Sequence, residues 1–240
     1  MIGNYHSIET FSSVDGPGIR YVLFLQGCNL RCSYCHNPDM LALKTNKTIT
    51  VDEVVKDYQK YHHFYKQGGI TVSGGEPLLQ IDFLISLFRE FKKLNVHTCI
   101  ETQGTLFTDN PKYYELVKVT DLFIVNIKGV DNDYAKAISN QGIDKTLAFL
   151  DFLKKQHANC MLTYVLLPTL NDNEECAQKL ASIIKTYQPQ SFQILPYHKL
   201  GISKWNKLNI PYELQIASAT NEDVNNFLKL IQSYLSIKVA

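Results

Sequence analysis

Residues 21–37 read YVLFLQGCNLRCSYCHN, a short apolar run that leads directly into three closely spaced cysteines. Further apolar runs of similar length follow along the chain and are rich in Val, Ile, Phe and Tyr. Continuous apolar runs of this length are typical of strands buried on both faces, as in a parallel sheet. The six runs of this kind are 21–25, 70–72, 96–100, 122–127, 161–167 and 192–195.

Amphipathic helical patterns lie between these runs. Thr50-x-x-Glu53 forms a capping box ahead of one helix, and apolar stripes predict others over 84–91, 180–187 and 220–235. A repeated strand-then-helix order implies a parallel sheet with right-handed crossovers. Six strands are too few for a closed barrel of roughly eight, so the pattern predicts an α/β fold, either an open, partial barrel or a doubly wound sheet. In both, ligands bind just after the carboxyl ends of the strands.

The composition is that of an ordinary globular protein. Of 240 residues, 45% are hydrophobic and 20% charged, and the net charge of +1 gives no sign of a nucleic-acid or anionic-membrane surface. No apolar stretch reaches the roughly 18 residues of a membrane span, and the N-terminus lacks the pattern of a signal peptide. We therefore expect a single domain over residues 1–240 that stays in the cytoplasm.

Three of the six cysteines, Cys28, Cys32 and Cys35, are spaced C-x3-C-x2-C. Clustered thiols in a long, unsecreted chain suggest a metal or catalysis rather than disulfides. Thiolates favour iron–sulfur clusters, zinc or Cu(I). A four-iron cluster held by three thiolates would leave one iron open to an outside ligand.

The alternative is a zinc site with His36 as the fourth ligand, in a binding module without catalysis. Structural zinc sites normally use two ligand pairs that are separated along the chain, whereas these candidates lie within nine residues. The other cysteines, Cys99, Cys160 and Cys176, are scattered among apolar residues, and we expect them to be buried, inert thiols.

The cysteine motif, with an aromatic residue before its last cysteine, resembles the signature of radical S-adenosylmethionine (SAM) enzymes. Other segments are similar to the activases of glycyl radical enzymes, the family whose members activate pyruvate formate-lyase. They are VDGPGIR at 14–20, SGGE at 73–76, HTC at 97–99 and LPYHKLG at 195–201. The resemblance covers nearly the whole chain and implies a partial, open six-stranded β/α barrel of the radical SAM type.

The resemblance also implies the chemistry. A [4Fe–4S] cluster on Cys28, Cys32 and Cys35 would donate an electron to SAM, giving methionine and a 5′-deoxyadenosyl radical. That radical would take a hydrogen atom from one glycine of pyruvate formate-lyase, with no side chain acting as acid or base. A flavodoxin- or ferredoxin-type protein would supply the electron in anaerobic glucose metabolism, and we expect the activase to be a monomer.

Site residues follow from the same resemblance. The turn of Asp15, Gly16, Pro17 and Gly18 would lie near the protein substrate at the mouth of the site. The implied contacts with SAM are Tyr34, Cys35, His36, Gly74, Gly75, Glu76, Glu101, Thr102, Asn126, Ile127, Lys128 and His198.

The sequence departs from the family at two of these strand ends. Two acidic side chains usually help to hold a monovalent cation beside SAM, and here Glu101 is kept but Asn126 stands where an Asp is usual. Thr163 stands where an Arg is usual. The cation is therefore only a possible cofactor of this chain.

The resemblance also allows a protein substrate other than pyruvate formate-lyase, because related activases act on other glycyl radical enzymes. Activators of anaerobic ribonucleotide reductase are typically shorter than this chain. Other activators insert a cysteine-rich segment after the first motif, and residues 38–70 contain no cysteine. Pyruvate formate-lyase is thus the partner that the sequence favours.

Overall fold

The computed structural model describes residues 1–43 and 47–236. Six parallel strands follow the six apolar runs, which confirms that prediction. These strands are β2 (Arg20–Leu25), β4 (Gly69–Gly74), β5 (His97–Thr102), β6 (Leu122–Ile127), β7 (Cys160–Leu166) and β8 (Ser191–Pro196).

Two further strands, β1 (Ile2–Ser12) and β3 (Thr48–Thr50), extend one edge of the sheet. β1 pairs antiparallel with β2 and with β3, so the strand order is β3-β1-β2-β4-β5-β6-β7-β8. The sequence analysis missed β1 because its side chains are mostly half-buried and form no continuous apolar run. β3 and β8 lie at opposite edges of the sheet, which is therefore open, as expected of a partial barrel.

Helices connect the parallel strands. The capping box before the first helix is confirmed, since Thr50 Oγ1 accepts from the Glu53 N–H at 3.2 Å and Glu53 accepts from the Thr50 N–H at 2.7 Å. The pattern analysis predicted the helices at 51–61, 81–93, 174–187 and 221–236 but not the others. The helices are α1 (Val51–Tyr61), α2 (Ile81–Lys93), α3 (Pro111–Val119), α4 (Asn132–Ser139), α5 (Asp144–Lys155), α6 (Glu174–Tyr187), α7 (Ile202–Lys207) and α8 (Asn221–Ser236).

The main core lies between the helices and one face of the sheet. Because successive side chains of a strand point to opposite faces, Val72 and Ile100 are fully buried in this core, while their neighbours Ser73 and Glu101 face the other side. The second face carries the polar residues of the strand ends and is the one that encloses the candidate site. Within the described residues, no helix is both long and apolar enough to cross a membrane.

Candidate active site at the carboxyl ends of the strands

A cleft of about 480 Å³ opens at the carboxyl ends of the parallel strands, where the fold predicts a ligand site. It brings together most of the residues singled out in the sequence. Those that line it are Asp15, Cys28, Cys32, Tyr34, Cys35, His36, Gly74, Gly75, Glu101, Asn126, Lys128 and His198.

The cysteine loop follows directly from the end of β2 and is fixed by backbone hydrogen bonds. The N–H groups of Arg31 and Ser33 donate to the carbonyls of Ser139 (3.0 Å) and Ile138 (2.8 Å) at the end of α4. Within the loop, the Cys35 N–H donates to the Cys32 carbonyl at 3.0 Å. These bonds present all three thiols to the same cleft.

The three thiols line the same cleft, with Cys28 and Cys32 almost fully buried. Among the described residues, no three His, Cys, Asp or Glu side chains form a group that could hold a single metal ion. Burial raises the pKa of Cys28 to about 12 and also raises the pKa of Cys32 and Cys35. The metal-free thiols are therefore protonated at neutral pH and must lose protons when they bind iron.

Gly74 and Gly75 let the end of β4 pass very close to the cysteine loop. Gly74 has a φ of 124°, and a Cβ there would lie 2.2 Å from the Leu25 carbonyl oxygen. A Cβ on Gly75 would lie 2.0 Å from the carbonyl oxygen of Gly27. Both positions therefore require glycine, and their backbone forms a wall of the cleft beside Cys28.

Glu76 and Thr102 do not line the cleft. The Glu76 side chain is fully buried and accepts hydrogen bonds from Thr102 Oγ1 (2.6 Å) and from the N–H groups of Leu78 (3.0 Å) and Gln103 (3.0 Å). Burial raises the pKa of Glu76, and these bonds oppose the rise. The carboxylate thus ties the end of β4 to the turn after β5.

A row of hydrogen-bonded side chains crosses four neighbouring strands at the floor of the cleft. Ser73 Oγ donates to Glu101 Oε2 at 2.7 Å, and Asn126 Nδ2 donates to Glu101 Oε1 at 3.3 Å. Asn126 Oδ1 in turn accepts from Thr163 Oγ1 at 2.6 Å. Burial raises the pKa of Glu101, while the bonds from Ser73 and Asn126 oppose the rise. Ser73 was not among the predicted contacts, although it directly precedes the two glycines.

Lys128 supplies a cation to the cleft. Its ammonium lies 5.5 Å from the centre of the Tyr34 ring. Burial opposes its charge, but Tyr34, Cys32 and Glu101 outweigh burial and raise its pKa. Ile127, the residue before it, is 1% exposed and packs in the main core, so only its backbone is near the site.

Two imidazole rings, those of His36 and His198, line another part of the cleft. The rings of His36 and His198 stack with their centres 4.0 Å apart, and His36 Nε2 donates to the His198 carbonyl at 2.9 Å. Burial and the neighbouring His198 lower the pKa of His36. Trp205 Nε1 donates to the Cys35 carbonyl at 2.7 Å, a contact that its position in a Lys-rich segment did not reveal.

Gln103 is a lining residue that the sequence analysis missed. Its amide oxygen Oε1 is buried and has no hydrogen-bond partner among the described residues. Buried acceptors are normally paired, so this oxygen is suited to receive a donor from a ligand. The only sequence signal was its place directly after Glu101-Thr102.

The turn before β2 forms the remaining wall. Asp15 lines the cleft, and with Gly16 and Pro17 it also lines a second, adjoining cavity. Gly18 lies behind the turn with a φ of 71°, and a Cβ there would lie 2.2 Å from the Gln67 carbonyl oxygen. The turn is therefore fitted closely to the chain that leads into β4.

Comparisons with known proteins agree with this geometry. Residues 22–180 match the radical SAM superfamily. The chain is 42% identical to the pyruvate formate-lyase-activating enzyme of Staphylococcus epidermidis, over 89% of this chain and 88% of that one. It is 41% identical to the enzyme of that name from Clostridium pasteurianum, over 98% of both. The fold is shared with Streptococcus suis SuiB bound to its precursor peptide SuiA, with a TM-score of 0.68 at 13% identity over 95% of this chain and 47% of SuiB. The chain therefore belongs to the radical SAM superfamily and, within it, to the family of pyruvate formate-lyase-activating enzymes.

Proposed function

We propose that this protein generates a glycyl radical on pyruvate formate-lyase by reductive cleavage of SAM. The observation that carries the proposal is the meeting of three thiols, a glycine-lined wall and an ammonium in one cleft at the strand ends. The identity to named activating enzymes along nearly the whole chain supports the choice of partner.

Cys28, Cys32 and Cys35 are the residues that would hold a [4Fe–4S] cluster. Their thiols line one cleft, and three thiolates leave one iron of a four-iron cluster without a protein ligand. Such a cluster would supply the electron for the reductive cleavage of SAM. The backbone of the cysteine loop is fixed and thereby positions the three thiols.

The rest of the cleft binds and orients SAM. The backbone of Gly74 and Gly75 allows the methionine part to lie against β4, and the Lys128 ammonium suits a carboxylate. The free amide oxygen of Gln103 can accept a hydrogen bond from an ammonium or hydroxyl group. His36 and His198 offer flat faces to the adenine, next to the backbone of Tyr34.

A monovalent cation has no evident place between Glu101 and Asn126. The Asn126 Nδ2 group faces Glu101 Oε1, so a hydrogen-bond donor occupies the position at which a second oxygen would be needed. The Asn126 carbonyl oxygen is turned to Thr163. The residues present do not fit the cation, and we assign it no part in the reaction.

The remaining parts of the proposal concern the setting. The chain would act as one domain over residues 1–240 and as a monomer, in the cytoplasm. Its electron would come from a flavodoxin- or ferredoxin-type protein. The open sheet supports a macromolecular substrate, since a protein loop can then reach the cleft from the side.

The test is direct. The anaerobically reconstituted protein is mixed with SAM, a reductant and purified pyruvate formate-lyase, and the glycine radical is sought by electron paramagnetic resonance. Deuterium placed on the target glycine should appear in 5′-deoxyadenosine. Anaerobic ribonucleotide reductase serves as the comparison substrate: a radical on that enzyme, with none on pyruvate formate-lyase, would overturn the choice of partner.

A further inference from the structure

A second cavity, of about 360 Å³, adjoins the cleft on the inner face of the sheet. The two share Asp15, Glu101 and Leu195 at their boundary. From there the second cavity runs toward the amino ends of β6 and β7, where Leu122 and Met161 line it. None of the contacts described above for SAM requires this space.

The floor of this cavity is apolar. Leu122 and Ile124 form a small buried cluster with Cys99, separate from the main core, and Met161 packs against it. This cluster lies on the sheet face that the helices of the main core do not cover. An apolar floor here has no role in packing the helices and is available to a ligand.

Two of the polar side chains above the floor, Thr163 and Glu101, are already hydrogen-bonded within the protein. The Thr163 hydroxyl donates to Asn126, and both carboxylate oxygens of Glu101 accept hydrogen bonds. Among the described residues that line the cavity, the two charged side chains, Asp15 and Glu101, are those at the boundary with the cleft. Exposed Gln190 and Gln193 form the outer rim.

The opposite wall is a turn that is held in place before any substrate arrives. Arg20 is fully buried, and its Nε donates to Thr71 Oγ1 at 2.9 Å. Thr71 Oγ1 donates to the Asp15 carbonyl at 2.6 Å, and Arg20 Nη1 donates to the Pro17 carbonyl at 3.4 Å. Arg20 is therefore a positioning residue for the turn, and the cavity is preformed.

We propose that this cavity receives an uncharged, apolar side chain that neighbours the reactive glycine of the protein substrate. The inference rests on the proposed function, which brings that glycine into the adjoining cleft. Consecutive Cα atoms are only about 3.8 Å apart, so a residue beside the glycine lies at the border of the cleft, within reach of this cavity. A charged side chain would lose its hydration there without gaining a partner on the floor.

The test compares the binding of labelled glycine peptides to the reconstituted enzyme with SAM present. The peptides differ only in the residues on either side of the glycine, which are Val, Lys or Glu. Fluorescence anisotropy gives the affinity of each, and deuterium transfer to 5′-deoxyadenosine gives its reactivity. We expect the Val peptide to bind at least roughly tenfold more tightly than either charged peptide.

A substitution on the floor of the cavity should change the order of affinity of these peptides. Met161→Lys should reduce the advantage of Val over Glu by roughly tenfold or more, because the new ammonium offers a partner to Glu. Met161→Leu, which keeps the floor apolar, is the matched control and should retain the order of the wild type. The preference is a ratio measured within one variant, so a partial loss of folded protein cancels.

The outcomes separate this inference from the proposed function. Equal binding and equal transfer for all three peptides in the wild type would overturn the apolar cavity and leave radical generation standing. The same conclusion follows if Met161→Lys keeps the wild-type order. Cleavage of SAM without transfer from any peptide or from pyruvate formate-lyase would contradict the proposed function itself.

Discussion

Thr163 Oγ1 donates a hydrogen bond of 2.6 Å to Asn126 Oδ1. These are the two strand positions at which the resemblance led us to expect an Asp and an Arg, and the structure places the two side chains in contact. The bond fixes the orientation of the Asn126 amide, so that Nδ2 faces Glu101. A neutral pair thus stands where the resemblance implies two charged residues, and Glu101 receives its donor from the protein.

Asn126→Asp should create a need for a monovalent cation. The substitution removes the donor and places a carboxylate beside Glu101. Repulsion between unit charges at ~4 Å is about 4 kcal/mol at an effective dielectric near 20. We expect potassium to raise the melting temperature of Asn126→Asp and to tighten its SAM binding. The wild type should respond weakly when potassium replaces tetramethylammonium at constant ionic strength.

Thr163→Val provides the control for this experiment, because it removes the hydroxyl bond without adding a charge. It should lower stability by about 1 kcal/mol and leave the weak potassium response unchanged. Equally strong potassium responses in the wild type and in Asn126→Asp would show that the amide oxygen binds the ion after all.

The second prediction separates the cysteines into two groups. Cys28→Ala, Cys32→Ala and Cys35→Ala should each lose most of the roughly four irons bound after reconstitution, as well as SAM cleavage. Cys99→Ala, Cys160→Ala and Cys176→Ala should keep their iron. Of these, the fully buried Cys99 and Cys176 should lose about 1 kcal/mol of stability through the small cavity that is left. Iron analysis and thermal unfolding give both numbers, and a Cys32→Ala protein with normal iron content would refute the ligand assignment.

The sheet was largely predictable because a strand buried on both faces leaves a continuous apolar run. β6 is the clearest case, since all six of its residues are buried. β1 was missed because its side chains are mostly half-buried and form no continuous apolar run. The sequence analysis also missed α3 and α4, because their amphipathic patterns are short. Asn110 and Asp131 nevertheless cap their first turns.

The candidate site could be predicted only at residues that belong to a recognisable sequence motif. The cysteine spacing and the two glycines come together in the cleft, as the resemblance implied. Glu76 belongs to the same motif, yet its carboxylate turns away to hold the turn after β5. Such an orientation depends on the partners that the fold places around the side chain. For the same reason, the free oxygen of Gln103 could not be foreseen from sequence spacing.

The third prediction concerns acid stability. His97 Nδ1 lies 3.2 Å from Arg20 Nη1, which can only donate, so His97 accepts there and is neutral. Burial and Arg20 lower the pKa of His97 below its usual 6.5. The folded protein then binds fewer protons than the unfolded chain. The stabilisation is fully present above pH 6.5 and is lost as the pH falls through the lower folded pKa.

The melting temperature should therefore fall between about pH 7 and 5, and the fall should be smaller in His97→Asn, which cannot be protonated. His63→Asn, at an exposed histidine, is the matched control and should follow the wild type. If His97→Asn and the wild type show the same fall, protonation beside Arg20 is not its source.

The last prediction concerns the amide oxygen of Gln103. Its removal should raise the stability of the SAM-free protein and weaken the binding of SAM. Removing a buried acceptor that has no partner among the described residues should stabilise the SAM-free protein, so Gln103→Leu should raise its free energy of unfolding by about 1 kcal/mol. The same change removes an acceptor that SAM would use, so the dissociation constant for SAM should rise roughly tenfold.

Gln80→Leu is the contrasting control, because the Gln80 amide bonds to Asn4 (2.7 and 2.8 Å) and Gln26 (3.1 Å), and its loss should destabilise the protein. Denaturant unfolding and equilibrium dialysis measure the two effects, and an unchanged SAM affinity in Gln103→Leu would show that its oxygen does not meet the ligand.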